Sequence, residues 1–160
     1  MQSTKYQTII ITGSASGIGA STREILEANG TKVIGIDLRD ADILADLSHS
    51  EERNRAISET IEITEGVIDG VITSAGVGPP CDPKKIIDVN WLGTVELLKG
   101  FRETLASSEN TVRVVAVSSN SATVTPNVPE DLIEACLTFD NERVEHILEG
   151  FSGMAAMAVA

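Results

Sequence analysis

The chain has 160 residues, 42% of them hydrophobic and 22% charged, which is enough for one packed domain and unlike a disordered segment. Its 12 Lys and Arg stand against 24 Asp and Glu, and the resulting formal charge of −12 repels phosphate backbones and anionic lipid, so nucleic-acid and membrane partners are not expected. Cys81 and Cys136 lie far apart with no metal-ligand spacing, the first residues lack a signal-peptide pattern, and no apolar run approaches a membrane span, so a reduced, cytoplasmic protein without a metal site is the expectation.

The first element is an apolar run, Thr8 to Thr12, predicted as a buried strand. It leads into Thr12-Gly13-Ser14-Ala15-Ser16-Gly17-Ile18-Gly19, where the backbone turns on Gly13 and a helix begins near Gly17. Unpaired N–H groups and the positive end of the helix dipole then face outward as a seat for a phosphate. Glycine suits these positions because a Cβ would hold the backbone away from a pyrophosphate, or the new helix away from its strand. The helix is predicted over 17–28 with Ile18, Ile25 and Leu26 toward the sheet, and Asn29-Gly30 ends it. A second strand, Lys32 to Asp37, closes on an acid placed to bind both ribose hydroxyls of an adenine dinucleotide. That acid repels a 2′-phosphate and favours NAD over NADP, a preference that Arg39 relaxes.

A loop with a short apolar piece, Ile43 to Leu47, leads to Ser48, predicted to cap a helix from Ser50 with Glu51 closing a capping box and Ile57 and Ile61 forming an apolar stripe. The next strand, Val67 to Thr73, contains the turn-prone pair Asp69-Gly70 and so starts as late as Gly70; Ser74-Ala75-Gly76 follows with small side chains. A long helix is predicted over 84–106, with Val95, Leu98, Phe101 and Leu105 at helical spacing and Trp91 in the core. Thr111 to Ser118 reads as a strand, and two helical segments, 129–138 and 141–149, precede the small and apolar residues 151–160. His49 and His146 stand alone and read as surface or capping residues. The alternation of strand and helix predicts an α/β fold: a Rossmann-like, doubly wound parallel sheet in three layers, α/β/α, forming one dinucleotide-binding domain over residues 1–160.

From Thr8 to Ser119 the residues resemble the short-chain dehydrogenase/reductase family. Its nucleotide motif, Thr-Gly-x-x-x-Gly-x-Gly, stands here as Thr12 to Gly19. The resemblance implies that Gly13, Ser14, Ser16, Gly17, Ile18, Gly19 and Asp37 bind the cofactor, NAD. It also implies adenine contacts from Asp46 and Leu47, in Ala45-Asp46-Leu47. The family's Asn-Asn-Ala-Gly segment is represented by Thr73-Ser74-Ala75-Gly76, which keeps Ala75 and Gly76 as cofactor residues. The active-site Asn corresponds to Asn90 and the active-site Ser to Ser119. Within the family, Gly35 to Ala41, Ala45 to Ser48, Ala75 to Gly78 and Val89 to Gly93 are similar to the bacterial 3α-hydroxysteroid dehydrogenase/carbonyl reductase subgroup, which implies a hydroxysteroid or another hydrophobic alcohol or ketone as substrate. Family members commonly pair, so a homo-oligomer is an expectation.

The family's acid/base pair, Tyr-x-x-x-Lys, is missing. The only tyrosine is Tyr6 and the last lysine is Lys99. Phe151 stands in the place of the Tyr, and phenylalanine neither donates nor takes a proton. The sequence therefore reads as a truncated or degenerated dehydrogenase, lacking the last strands, helices and substrate loop and inactive by itself. The competing reading is a non-catalytic dinucleotide-binding or interaction module.

Overall fold

The computed structural model describes residues 7–120 and 128–150, in two compact units: residues 7–75 with 93–117, and residues 76–92 with 118–120 and 128–150. The first unit is a five-stranded sheet of β1 (Thr8–Thr12), β2 (Lys32–Asp37), β3 (Ile43–Leu44), β4 (Gly70–Thr73) and β5 (Arg113–Ala116). Its spatial order is β3-β2-β1-β4-β5, and every neighbouring pair is parallel. Its helices are α1 (Gly17–Ala28), α2 (Ser50–Ile63) and α4 (Gly93–Ala106). This is the Rossmann-like α/β architecture that the alternating pattern implies.

Strand β1 is buried along its whole length because it lies between β2 and β4 and both faces are covered, which is why the sequence shows a continuous apolar run and no alternation. On one face Ile10 packs with Ile34, Ile36 and Val71 against Ala56 of α2 and Leu97 and Phe101 of α4. On the other, Ile9, Ile11 and Val33 meet Leu26 of α1. Phe101 is fully buried at the centre of the larger cluster, and Phe101→Ala is expected to lower the unfolding free energy by about 3–5 kcal/mol, measured by urea denaturation.

Several local expectations are corrected. Ile18 and Ile25 do not face the sheet; they are 62% and 63% exposed. The residue that α1 buries is Gly19, because the helix comes too close to the preceding turn for a side chain there, and the contact face therefore runs through Gly19 and Leu26. The capping box of Ser48 and Glu51 does not form. Asp46 Oδ1 accepts from both the backbone N–H and the hydroxyl of Ser48, at 2.9 and 2.6 Å, and His49 takes the N-cap position of α2 through its extended backbone. The apolar piece expected as loop supplies the short β3, and β5 is shorter than the β-prone run that contains it, whereas β4 starts at Gly70, where the Asp69-Gly70 pair places it.

In the second unit, α3 (Pro83–Ile87) starts on Asp82, whose carboxylate accepts from Lys84 N at 2.9 Å. A π-helical turn, Asp88–Leu92, follows directly, so the helix expected to run unbroken from Lys84 is interrupted by a wider turn that includes Asn90. Helices α5 (Glu130–Thr138) and α6 (Asn141–Glu149) pack Leu132, Ala135, Val144 and Leu148 with Ile87. Trp91 stacks on Phe139 with ring centroids 5.9 Å apart. Among the described residues, no helix is long and apolar enough to cross a membrane. Tyr6 and Phe151 lie outside the described residues.

Candidate functional site

The carboxyl ends of β1, β2 and β4 share one edge of the sheet, and β1 is the strand from which the order departs in both directions. Parallel sheets form a crevice at such a switch point. The glycine turn, which follows β1, lies at this edge. Gly13 adopts φ +68, a left-handed conformation that disfavours other residues, and a Cβ there would lie 2.8 Å from the Ala75 backbone. At Gly19 a Cβ would lie 2.1 Å from Gly13 O, so the absence of a side chain is what lets α1 close on its own turn.

Thr12 fastens the turn to the end of β4. Its hydroxyl accepts from the N–H groups of Ser74 and Ala75, each at 3.1 Å, and the Ser74 hydroxyl donates to its carbonyl at 2.6 Å. This latch was not legible as such; the threonine that opens the motif was its only signal. Ser14 is buried and its Oγ has no hydrogen-bond partner. It is turned inward beside Gly35, where a Cβ would come 2.3 Å from that oxygen and 2.7 Å from Arg23 Nη1. Asp42 braces this layer, accepting from Gly35 N at 2.7 Å and pairing with Arg23 at 3.0 Å. Burial works against the Arg23 charge, but Glu27 and Asp42 outweigh it and hold the guanidinium above its ordinary pKa.

Ser16, Gly17 and Ile18 form the exposed lip of the turn. Ser16 makes no side-chain capping bond, and α1 has no acidic residue in its first turn. The helix ladder opens only at Ala20 N–H, donating to Ser16 O at 3.1 Å, so the amides of Gly17, Ile18 and Gly19 precede it. A Cβ at Gly17 would meet no atom within 4 Å. An open lip of early amides without a neutralising acid fits a bound diphosphate. Asp37, at the end of β2, accepts from Ala15 N–H at 2.9 Å through Oδ2 and from Leu38 N–H at 2.7 Å through Oδ1. Each carboxylate oxygen has a second lone pair, so the group can accept from ribose hydroxyls as well. The segment with Asp46 and Leu47 is tied to the same strand end by Ala45 N–H donating to Asp37 O at 2.8 Å, and Leu47 is buried in the core.

The second unit carries the other candidates. Asn90, in the π turn, clamps the backbone of Val77: its Oδ1 accepts from Val77 N–H at 2.8 Å and its Nδ2 donates to Val77 O at 2.9 Å. A Cβ on Gly76 would be 3.4 Å from that Oδ1. Both polar ends of the Asn90 amide thus hold the segment after Gly76. Ser119 lies exposed shortly after β5.

The sequence matches the short chain dehydrogenase family over residues 7–128. It is 40% identical over 115 residues to 3-alpha-hydroxysteroid dehydrogenase/carbonyl reductase of Comamonas testosteroni, covering 71% of this chain and 45% of that protein. To coniferyl-alcohol dehydrogenase of Pseudomonas sp. strain HR199 it is 37% identical over 115 residues, covering 68% and 44%. The 3-alpha-hydroxysteroid dehydrogenase from Pseudomonas sp. B-0831, crystallised with NADH, superposes with a TM-score of 0.88 at 38% identity, covering 96% of this chain and 60% of that one. The chain thus spans less than half the length of the two relatives matched by sequence.

Proposed function

The chain belongs to the short-chain dehydrogenase family, and from that premise we propose that it is the cofactor-binding half of an NAD-dependent oxidoreductase acting on a hydroxysteroid or another hydrophobic secondary alcohol or ketone. The carrying observation is the glycine turn at the switch point with Asp37 beside it. Bound there, NAD would supply the hydride acceptor. The early amides of α1 would hold the diphosphate and Asp37 the adenosine ribose, while Gly13 and Gly19 keep the turn low. Asp46 and the backbone of Leu47, whose side chain is buried, would meet the adenine, and Ala75 and Gly76 would border the cofactor. Ser119 would hold the substrate oxygen by hydrogen bond. Asn90 would keep the segment after Gly76 in place, which its two bonds to Val77 support.

Removing the hydroxyl proton needs a base, and after Ser119 the sequence offers neither Tyr nor Lys. The 160-residue chain is therefore expected to bind NADH without oxidising a steroid alcohol. Calorimetric titration tests the first statement: saturable NADH binding supports it, a clear preference over NADPH supports the role of Asp37, and folded protein that binds nothing at millimolar NADH overturns the proposal. Steady NADH formation from an androsterone-type alcohol would overturn the expectation of inactivity. The protein is further proposed to be cytoplasmic, with a small molecule as its substrate; self-association is tested by light scattering.

A further inference from the structure

Arg53 is a buried charge outside the residues proposed to contact the cofactor. Arg53 of α2 is 3% exposed; its Nε donates to Glu96 Oε2 on α4 at 2.6 Å, and its Nη1 donates to Leu47 O at 2.8 Å. An ion pair buried only on its arginine side, with the Glu96 side chain 33% exposed, gains little over apolar packing, and α2 and α4 already meet through Ala56, Leu97 and Phe101. What apolar side chains cannot do is bond a carbonyl. The stretch 45–48 has left β3, which ends at Leu44, so no strand partner receives Leu47 O, and a buried carbonyl needs a donor. Arginine reaches it while a second edge of the same rigid guanidinium is fixed by Glu96.

We propose that the Arg53–Glu96 pair is a positioning device for the adenine end of the cofactor: it sets the height of Leu47 and hence the placement of the Asp46 carboxylate, which the Ser48 turn orients from the other side. This rests on the proposed cofactor reading. Arg53 touches no ligand; it acts through the Leu47 carbonyl. Lysine at this position keeps one positive charge but lacks the planar fork that serves both partners at once.

The test compares NADH with its reduced hypoxanthine analogue, in which the adenine 6-amino group is an oxo group, by calorimetry on the whole chain. The unsubstituted protein is expected to favour NADH by about tenfold, the discrimination of one well-placed hydrogen bond to a charged acceptor. Arg53→Lys is expected to bring that ratio below about threefold while the analogue's own affinity moves by less than about twofold, because only the amino-group contact is misplaced. A general loss of structure would weaken both ligands together and leave the ratio alone. Glu96→Ala, which leaves Arg53 but removes its anchor, is expected to lower the ratio by about threefold and carries the test if Arg53→Lys does not fold. An unchanged ratio in a folded variant, equal loss of both ligands, or a starting ratio of one with NADH bound overturns this inference. Failure of the unsubstituted chain to bind NADH overturns the cofactor reading beneath it.

Discussion

Gly19→Ala is expected to abolish measurable NADH binding and to lower the unfolding free energy by about 3 kcal/mol or more. The added methyl would lie 2.1 Å from Gly13 O and 2.7 Å from Ser74 Oγ. The serine can rotate away, but the carbonyl belongs to a backbone held by Gly13 N–H donating to Ile36 O at 2.9 Å. Relief requires lifting α1 off the turn, which displaces the amides proposed to hold the diphosphate. Gly17→Ala is the control for stability. It has φ +55 with nothing within 4 Å, so only backbone strain of about 1 kcal/mol opposes the methyl. Urea denaturation of the two variants and NADH titration of Gly19→Ala check this; comparable stability losses in both would show that close approach at Gly19 is not what the turn depends on.

Asp69→Ala carries the second large expectation, at the opposite edge of the sheet. The Asp69 side chain is fully buried. Oδ2 accepts from Thr8 N–H at 2.8 Å, and Oδ1 accepts from the Ser108 hydroxyl at 2.6 Å and Asn110 Nδ2 at 2.9 Å. One carboxylate therefore joins the start of β1 to the connection that leads into β5, while Asp69 O accepts from Arg113 N–H at 3.1 Å. Alanine would strand these donors, with an expected loss of about 3–5 kcal/mol, a large part of the roughly 5–15 kcal/mol that holds a domain folded. The decisive measurement is the urea midpoint. A shift no larger than that of an exposed substitution such as Glu24→Ala would mean that water or side-chain rearrangement replaces the carboxylate.

Much of the fold was legible because burial on both faces writes itself as continuous apolar runs. Thr8–Thr12 and Lys32–Asp37 emerge with the bounds expected. The glycine turn was legible for a related reason, since left-handed geometry and close backbone approach both restrict residue choice. Arg53 was hidden: an arginine on an amphipathic helix reads as a solvated face, and only the positions of Leu47 and Glu96 make it interior. Ile18 and Ile25 misled in the other direction, because an apolar stripe signals the sheet-facing side only when the helix keeps ordinary distance, and α1 does not. The π turn left no periodic trace, one wider turn being too small a change in a helical stripe. The two bonds between Asn90 and Val77 then gave that position a conformational duty that a lone asparagine does not announce.

The Asp37 carboxylate faces its expected partner with its rotamer already chosen. Ala15 and Leu38 anchor one oxygen each, so the side-chain freedom that binding would otherwise remove, on the order of 0.5–1.5 kcal/mol for a mobile group, is surrendered when the chain folds. Under the proposed function an incoming sugar would meet a docking point at rest, and recognition of the adenosine half would become a matter of alignment more than of search.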